Sequence, residues 1–156
     1  IGVRLVGSEM CIRDSNITLA IAESCTGGEI ASRLTKTPGS SDYFLGSITA
    51  YSSSVKKEIL GVDEELIKTH SVVSKEVSKE MALKVREKFK STYGVSTTGT
   101  AGPTLGDSKE KIGTVYISIS KKDSTITEKY NFGNHRERII LKTVNKVFEM
   151  LIKRIQ

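Results

Sequence analysis

Ser24, Tyr51 and a lysine at position 56 or 57 are the residues of this chain whose types and placement could support hydrolysis. A serine hydroxyl is a weak nucleophile until a base takes its proton. A lysine can be that base only when its amine is neutral, which burial or a neighbouring cation can arrange. Tyr51 falls where a strand should end and Lys56 and Lys57 where a helix should begin, so the positive end of the helix dipole disfavours an ammonium there. Spacing does not choose between the two lysines, and a solvated surface lysine is the simpler reading of each. His70 and His135 are the other possible bases. One sits at an expected helix end and the other in a Gly-Asn-His-Arg turn, both ordinary surface positions. The Gly-x-Ser-x-Gly elbow of serine hydrolases is missing, so a Ser-His-Asp arrangement lacks support.

Two turns rich in glycine and hydroxyl residues follow apolar runs: Ser24-Cys25-Thr26-Gly27-Gly28, and Thr98-Gly99-Thr100-Ala101-Gly102-Pro103. Glycine at a strand-to-helix junction lets a ligand approach backbone N–H groups at the positive end of the new helix. In open α/β sheets the ligand crevice lies beyond the carboxyl ends of the strands, so both turns can face one pocket if their strands are neighbours. Neither turn matches a phosphate-binding fingerprint; a helix cap or a tight turn explains each without a ligand.

The elements needed to position these residues can be read along the chain. Ile17 to Ile21 reads as a short buried strand, and Ser24 or Thr26 is expected to cap a helix reaching about Lys36. Ser47 to Tyr51 reads as a second strand, and Ser52 or Ser53 as the cap of a helix carrying Val55, Ile59 and Leu60 that stops at Gly61. Asp63 should cap a short helix, and Ser74 a longer one whose Val77, Met81, Val85 and Phe89 recur every fourth residue. Tyr93 to Thr98 is a third strand. Residues 112–120 and 125–132 form a hairpin, and Ile140, Val144, Val147, Leu151 and Ile155 mark a C-terminal helix. The expected fold class is α/β: one three-layer α/β/α domain with a mixed, mostly parallel sheet.

Residues 1–15 lack any period and resemble a translated sequencing-adapter artefact, so they are set apart from the domain at 16–156. With 156 residues and 37% hydrophobic content, the chain suits one domain with a single core. No apolar run approaches the roughly 20 residues of a membrane helix, and no signal peptide is visible, so a cytoplasmic protein is expected. Two cysteines without paired spacing make neither a disulfide scaffold nor a zinc site. No metal or cofactor is expected. The net charge of +6 suits an anionic partner. Lysines alternate with glutamates, however, and tryptophan is absent, which argues for solvated helices over a nucleic-acid surface.

The ordered series Ala22-Glu23-Ser24-Cys25-Thr26-Gly27-Gly28, Pro38-Gly39-Ser40-Ser41-x-Tyr43-Phe44, Tyr51-Ser52-x-x-x-Lys56, Leu60-Gly61-Val62, Val73-Ser74, Met81-Ala82, Thr98 to Pro103, Gly113-Thr114-Val115-Tyr116 and Phe132-x-x-x-Arg136 resembles the CinA C-terminal domain family. The resemblance spans Asn16 to the last helix. It implies a nicotinamide-nucleotide amidase, converting nicotinamide mononucleotide and water to nicotinate mononucleotide and ammonia in pyridine-nucleotide salvage. It also implies a Ser-Lys mechanism on Ser24, Tyr51 and Lys56, which selects Lys56 over Lys57 and has the lysine take the serine proton directly or by a relay through Tyr51, and a homodimer or larger homo-oligomer. On that reading the backbone N–H groups of Thr26, Gly27 and Gly28 are candidates for an oxyanion hole, and Gly99, Thr100, Ala101 and Gly102 for the ribose phosphate. The alternative is a non-catalytic nucleotide-binding module of a competence or damage-response protein. The chain departs from the family's pattern at Leu105-Gly106-Asp107, at Glu110-Lys111-Ile112 and at His70-Ser71-Val72. The family's leading helix is not evident, which would leave part of the sheet uncovered.

Overall fold

A computed structural model describes residues 12–156. Strands β1 (Leu19–Glu23), β2 (Phe44–Thr49), β3 (Tyr93–Gly99), β4 (Thr114–Lys121) and β5 (Ser124–Asn131) form one sheet in the order β2-β1-β3-β4-β5. β1 pairs in parallel with β2 and β3, whereas β3–β4 and β4–β5 are antiparallel. Four strands therefore point the same way and only β4 runs against them, although two of the four pairings are antiparallel. The parallel half requires helical crossovers, and the antiparallel half needs only the Lys122-Asp123 turn of a hairpin.

β1 is buried along its whole length, and the alternation of a strand decides which layer each side chain meets. Leu19 and Ile21 pack with Ile30 and Leu34 of α1 (Glu29–Thr35) and with Val144, Val147 and Leu151 of α5 (Arg136–Ile155). Ala20 and Ala22 face the other way, against Val77, Met81 and Val85 of α4 (Lys75–Phe89). Each fully buried aliphatic side chain contributes about 2 kcal/mol, so the two clusters hold α1 and α5 on one face and α4 on the other. That is the expected three-layer arrangement, and it places a topological switch point between β1 and β3.

Close approach replaces side-chain packing at Gly94. A Cβ there would lie 2.2 Å from the Ala82 carbonyl oxygen and 2.6 Å from Arg86 Cβ, so only glycine lets α4 lie this near β3.

Several boundaries differ from those read in the sequence. The second strand spans Phe44–Thr49 and not residues 47–51, because the Ala50 and Tyr51 carbonyls turn away to accept from Lys56 Nζ. Neither Ser24 nor Thr26 caps α1; its cap position is Gly28, with φ 102° and no side-chain bond. The helix that follows Ser52 has one α turn, α2 (Ser53–Val55), and then becomes a π-helical turn over Lys56–Leu60. In α5 the buried stripe begins at Ile139 with Ile140 half-buried. Asp63 and Ser74 do cap α3 (Glu64–His70) and α4, accepting from the N–H of Glu65 and of Val77. Of the stretch 1–15 set apart by its composition, residues 1–11 lie outside the described residues. Residues 12–14 are helical, and Ile12 is 1% exposed within the α1–α5 core.

Candidate active site

The strand alternation that builds the layers also aims the chemistry. Leu19, Ile21 and Glu23 share one face of β1, so the Glu23 carboxylate points at α1. It is fully buried and accepts from the N–H groups of Ile30 and Ala31, at 2.9 and 3.0 Å. A carboxylate is thus spent on the N–H groups that a first-turn side chain would usually satisfy, where the helix dipole also favours negative charge. In the sequence Glu23 stands out only as part of a motif; its place one residue before the nucleophile candidate, in phase with Leu19 and Ile21, is the signal for its role.

Ala20, Ala22 and Ser24 share the opposite face. Ser24 is held at both backbone groups, its N–H donating to Thr97 O and its carbonyl accepting from Gly27 N–H, each at 3.0 Å. Its side chain is free to turn towards α2. Gly27 and Gly28, both with positive φ, provide the left-handed turn that carries the chain from β1 into α1.

Lys56 enters from the second strand-to-helix junction. Ser52 Oγ accepts from Val55 N–H, the Lys56 N–H donates to Ser52 O, and the lysine then opens the π-helical turn. Such turns recur at functional sites because they re-aim a side chain. The result is a lysine 2% exposed, with Nζ 2.8 Å from Ala50 O, 3.0 Å from Tyr51 O and 3.0 Å from Ser24 Oγ. As an ammonium it donates to all three. As a neutral amine it donates to the two carbonyls and its lone pair faces the serine hydroxyl, the geometry of a base poised on a nucleophile.

Burial pulls the Lys56 pKa down from 10.5 to about 8, with Cys25 and Asp107 acting the other way. Burial also pushes the Cys25 thiol up to about 12. Cys25 is therefore a neutral thiol at physiological pH, and Asp107 is the charged group left to oppose the shift.

These residues line a cavity of about 420 Å³ beyond the carboxyl ends of β1 and β3, at the switch point. Ser24, Cys25, Tyr51 and Lys56 border it, together with the whole turn Gly99, Thr100, Ala101, Gly102. Thr26, Gly27 and Gly28 do not: Thr26 Oγ1 is bonded to Thr97 Oγ1, Gly27 N–H is committed to Ser24 O, and the turn leads away into α1. Gly99 is needed for packing as well, since a Cβ there would meet Val115 Cγ2 at 2.8 Å and Cys25 Sγ at 3.2 Å.

Tyr51 lies at the mouth, 57% exposed. Its backbone carbonyl reaches Lys56, while its phenol accepts from Arg136 Nη2 at 3.0 Å. Arg136 also donates from Nη1 to Gly102 O at 2.5 Å. The first residue of α5 thus ties the Gly99–Gly102 turn to Tyr51 and adds a cation to the cavity. In the sequence Arg136 stands out only within a motif, because nothing local shows that the last helix begins at this cavity.

Residues 104–108, which include the departure Leu105-Gly106-Asp107, form the far wall. Thr100 Oγ1 donates to Ser108 Oγ at 2.5 Å, Ser71 Oγ to Asp107 O, and the Tyr116 hydroxyl to Glu110 Oε1 at 2.7 Å. Neither histidine lines the cavity; His70 lies 3.5 Å from Glu76, and His135 precedes α5 in an exposed turn. Among the described residues no group of three or more His, Cys, Asp or Glu is placed to hold a metal ion, and no helix is long and apolar enough to cross a membrane.

A lysine buried against a serine in a crevice of this fold can be set beside known proteins. A CinA-like protein of Flavobacterium psychrophilum is 44% identical over 144 residues, covering 92% of this chain and 34% of its own length. One from Prochlorococcus marinus is 48% identical over 121 residues, covering 78% of this chain and 28% of its own. The chain thus spans about a third of the length of the curated relatives it matches. Among solved structures, the competence/damage inducible protein CihA from Agrobacterium tumefaciens matches with TM-score 0.93 at 29% identity, covering 99% of this chain and 94% of that one. A CinA superfamily protein from Enterobacter cloacae matches with TM-score 0.89 at 26% identity, covering 97% and 89%. The model of the CinA C-terminal domain matches residues 6–155, and this chain belongs to that family.

Proposed function

We propose that this domain is an amidohydrolase that converts nicotinamide mononucleotide and water to nicotinate mononucleotide and ammonia by a Ser-Lys mechanism. The observation that carries the reading is the Lys56 Nζ to Ser24 Oγ contact of 3.0 Å, made by a buried lysine whose pKa is lowered to about 8.

Neutral Lys56 takes the Ser24 proton, and Oγ attacks the carboxamide carbon. The Lys56 ammonium returns that proton to the departing nitrogen, which leaves as ammonia, and an ester to Ser24 remains. Water, deprotonated by Lys56, attacks the ester; the carboxylate departs and Ser24 regains its proton. The proton passes directly between the two side chains, and Tyr51 acts at the cavity mouth with Arg136. The Gly99–Gly102 turn and Arg136 supply the backbone and the cation for the substrate's phosphate.

Ammonia release from nicotinamide mononucleotide tests the reading. Release by the intact protein, abolished in Ser24→Ala, is expected. Binding of the nucleotide without release would leave a non-catalytic nucleotide-binding module in its place.

A further inference from the structure

A second cavity, of about 430 Å³, opens at the other end of the sheet. β3 connects the two: Tyr93 at its start borders this cavity, and Gly99 at its end borders the first. The walls are the end of α4 with Arg86 and Lys90, the entry to β3, and the β4–β5 hairpin tip with Lys121, Lys122 and Asp123. Four cations face one carboxylate, a net charge of +3 among the lining residues.

Solvation is a sufficient explanation for the exposed hairpin lysines taken alone, but it does not account for Arg86. The close approach allowed by Gly94 wedges this side chain against the sheet, and its Nε is buried with no hydrogen-bond partner. Buried donors are almost always satisfied, so this orphaned N–H leaves the guanidinium of Arg86, a residue bordering the cavity, short of an acceptor from the protein. Among the described residues, ion pairs engage Arg33, Lys57, Lys68, Lys84, Lys129 and Lys146, and none engages Arg86, Lys90, Lys121 or Lys122. At the end of α4 the N–H groups of Lys90 and Ser91 close the Glu87 and Arg86 carbonyls.

We propose that this cavity is a binding site for a small phosphate-bearing anion, with Arg86 supplying directional donors and Lys90, Lys121 and Lys122 the field. Phosphate oxygens match the guanidinium fork, and two or more negative charges balance the lining. The volume falls in the range of small-molecule sites, about 300–1,000 Å³. A concave pocket between a helix end and a hairpin suits a compact ligand better than the extended backbone of a nucleic acid.

Pyrophosphate titrated into the protein by calorimetry at constant ionic strength tests this. Binding is expected in the wild type and in Arg136→Ala, which removes the cation of the first cavity. The double variant Lys121→Ala/Lys122→Ala, at an exposed turn, should weaken it about tenfold or more. Arg86→Met should weaken it further, and its fold is checked by circular dichroism. The proposal is overturned by no binding in the wild type, by unchanged affinity in the double variant, or by loss in Arg136→Ala alone. A short DNA duplex bound through the same lysines, steeply salt-dependent and without pyrophosphate binding, would overturn it in favour of nucleic acid.

Discussion

Lys56 Nζ lies 3.0 Å from Ser24 Oγ, with two backbone carbonyls, those of Ala50 and Tyr51, taking its other hydrogen-bonding directions. The two carbonyls hold the amine in place whatever its charge, so protonation changes what Lys56 does to Ser24 without moving it. Deleting the amine should therefore remove chemistry more than binding. Lys56→Met, which keeps the stem's bulk, is expected to lower kcat for ammonia release by about 10²–10⁴-fold with little change in KM. A full rate in this variant would rule out the Ser-Lys mechanism.

The base must be neutral, and its pKa is about 8. The rate should accordingly rise with pH, tenfold per unit well below 8, and level off above it. A pH–rate profile that is flat from 6 to 9 would exclude Lys56 as the base.

The same groups leave a mark on stability. Lys56 has a lowered pKa in the fold, so between about 8 and 10.5 the unfolded chain holds the proton that the folded one has released, and stability rises with pH. Cys25 has a raised pKa, so between 9 and about 12 the folded chain holds the extra proton and stability falls. The two oppose one another between 9 and 10.5. Chemical denaturation across this range should show the rise between 8 and 9 in the wild type and its absence in Lys56→Met.

Glu23→Gln replaces two acceptors facing the N–H groups of Ile30 and Ala31 with one acceptor and one donor. Stability should drop by about 1–3 kcal/mol, measured as a shift in the denaturation midpoint. Because Glu23 precedes Ser24, kcat should fall as well while the pH midpoint stays with Lys56; an unchanged kcat would confine Glu23 to capping α1.

Tyr51→Phe separates a direct proton path from one through the phenol. The ring and the backbone carbonyl that accepts from Lys56 are kept, so a direct path predicts a loss of under about tenfold, whereas a proton relay through the hydroxyl predicts about 10²-fold or more. Loss of the larger size would return Tyr51 to the relay. Arg136→Ala, by contrast, should act on KM, since its guanidinium faces the cavity and does not touch Ser24.

The types of the elements and the layers were legible in the sequence, because a strand buried on both faces, a four-residue apolar repeat and a capping serine or aspartate are local signals. Asp63, Ser74, Gly61 and the β4–β5 hairpin were readable for that reason. Ser24 could be singled out by its place after an apolar run, and Lys56 preferred to Lys57 through the motif series. Boundaries that depend on distant partners were not readable. β2 stops at Thr49 because Lys56 draws the next two carbonyls away, and α1 starts at Glu29 because the acceptor for its first turn is Glu23, on the preceding strand.

The sequence by itself thus determined the alternation of strands and helices and the residue types that can act as nucleophile and base. Only the tertiary structure decided which of them meet. Burial strips water from Lys56 and lowers its pKa, the parallel pairing of β1 with β2 and β3 brings three strand ends to one crevice, and α5 delivers Arg136 from the far end of the chain. Proximity, desolvation and charge in a shared cavity belong to packing between segments distant in sequence, and no local pattern encodes them.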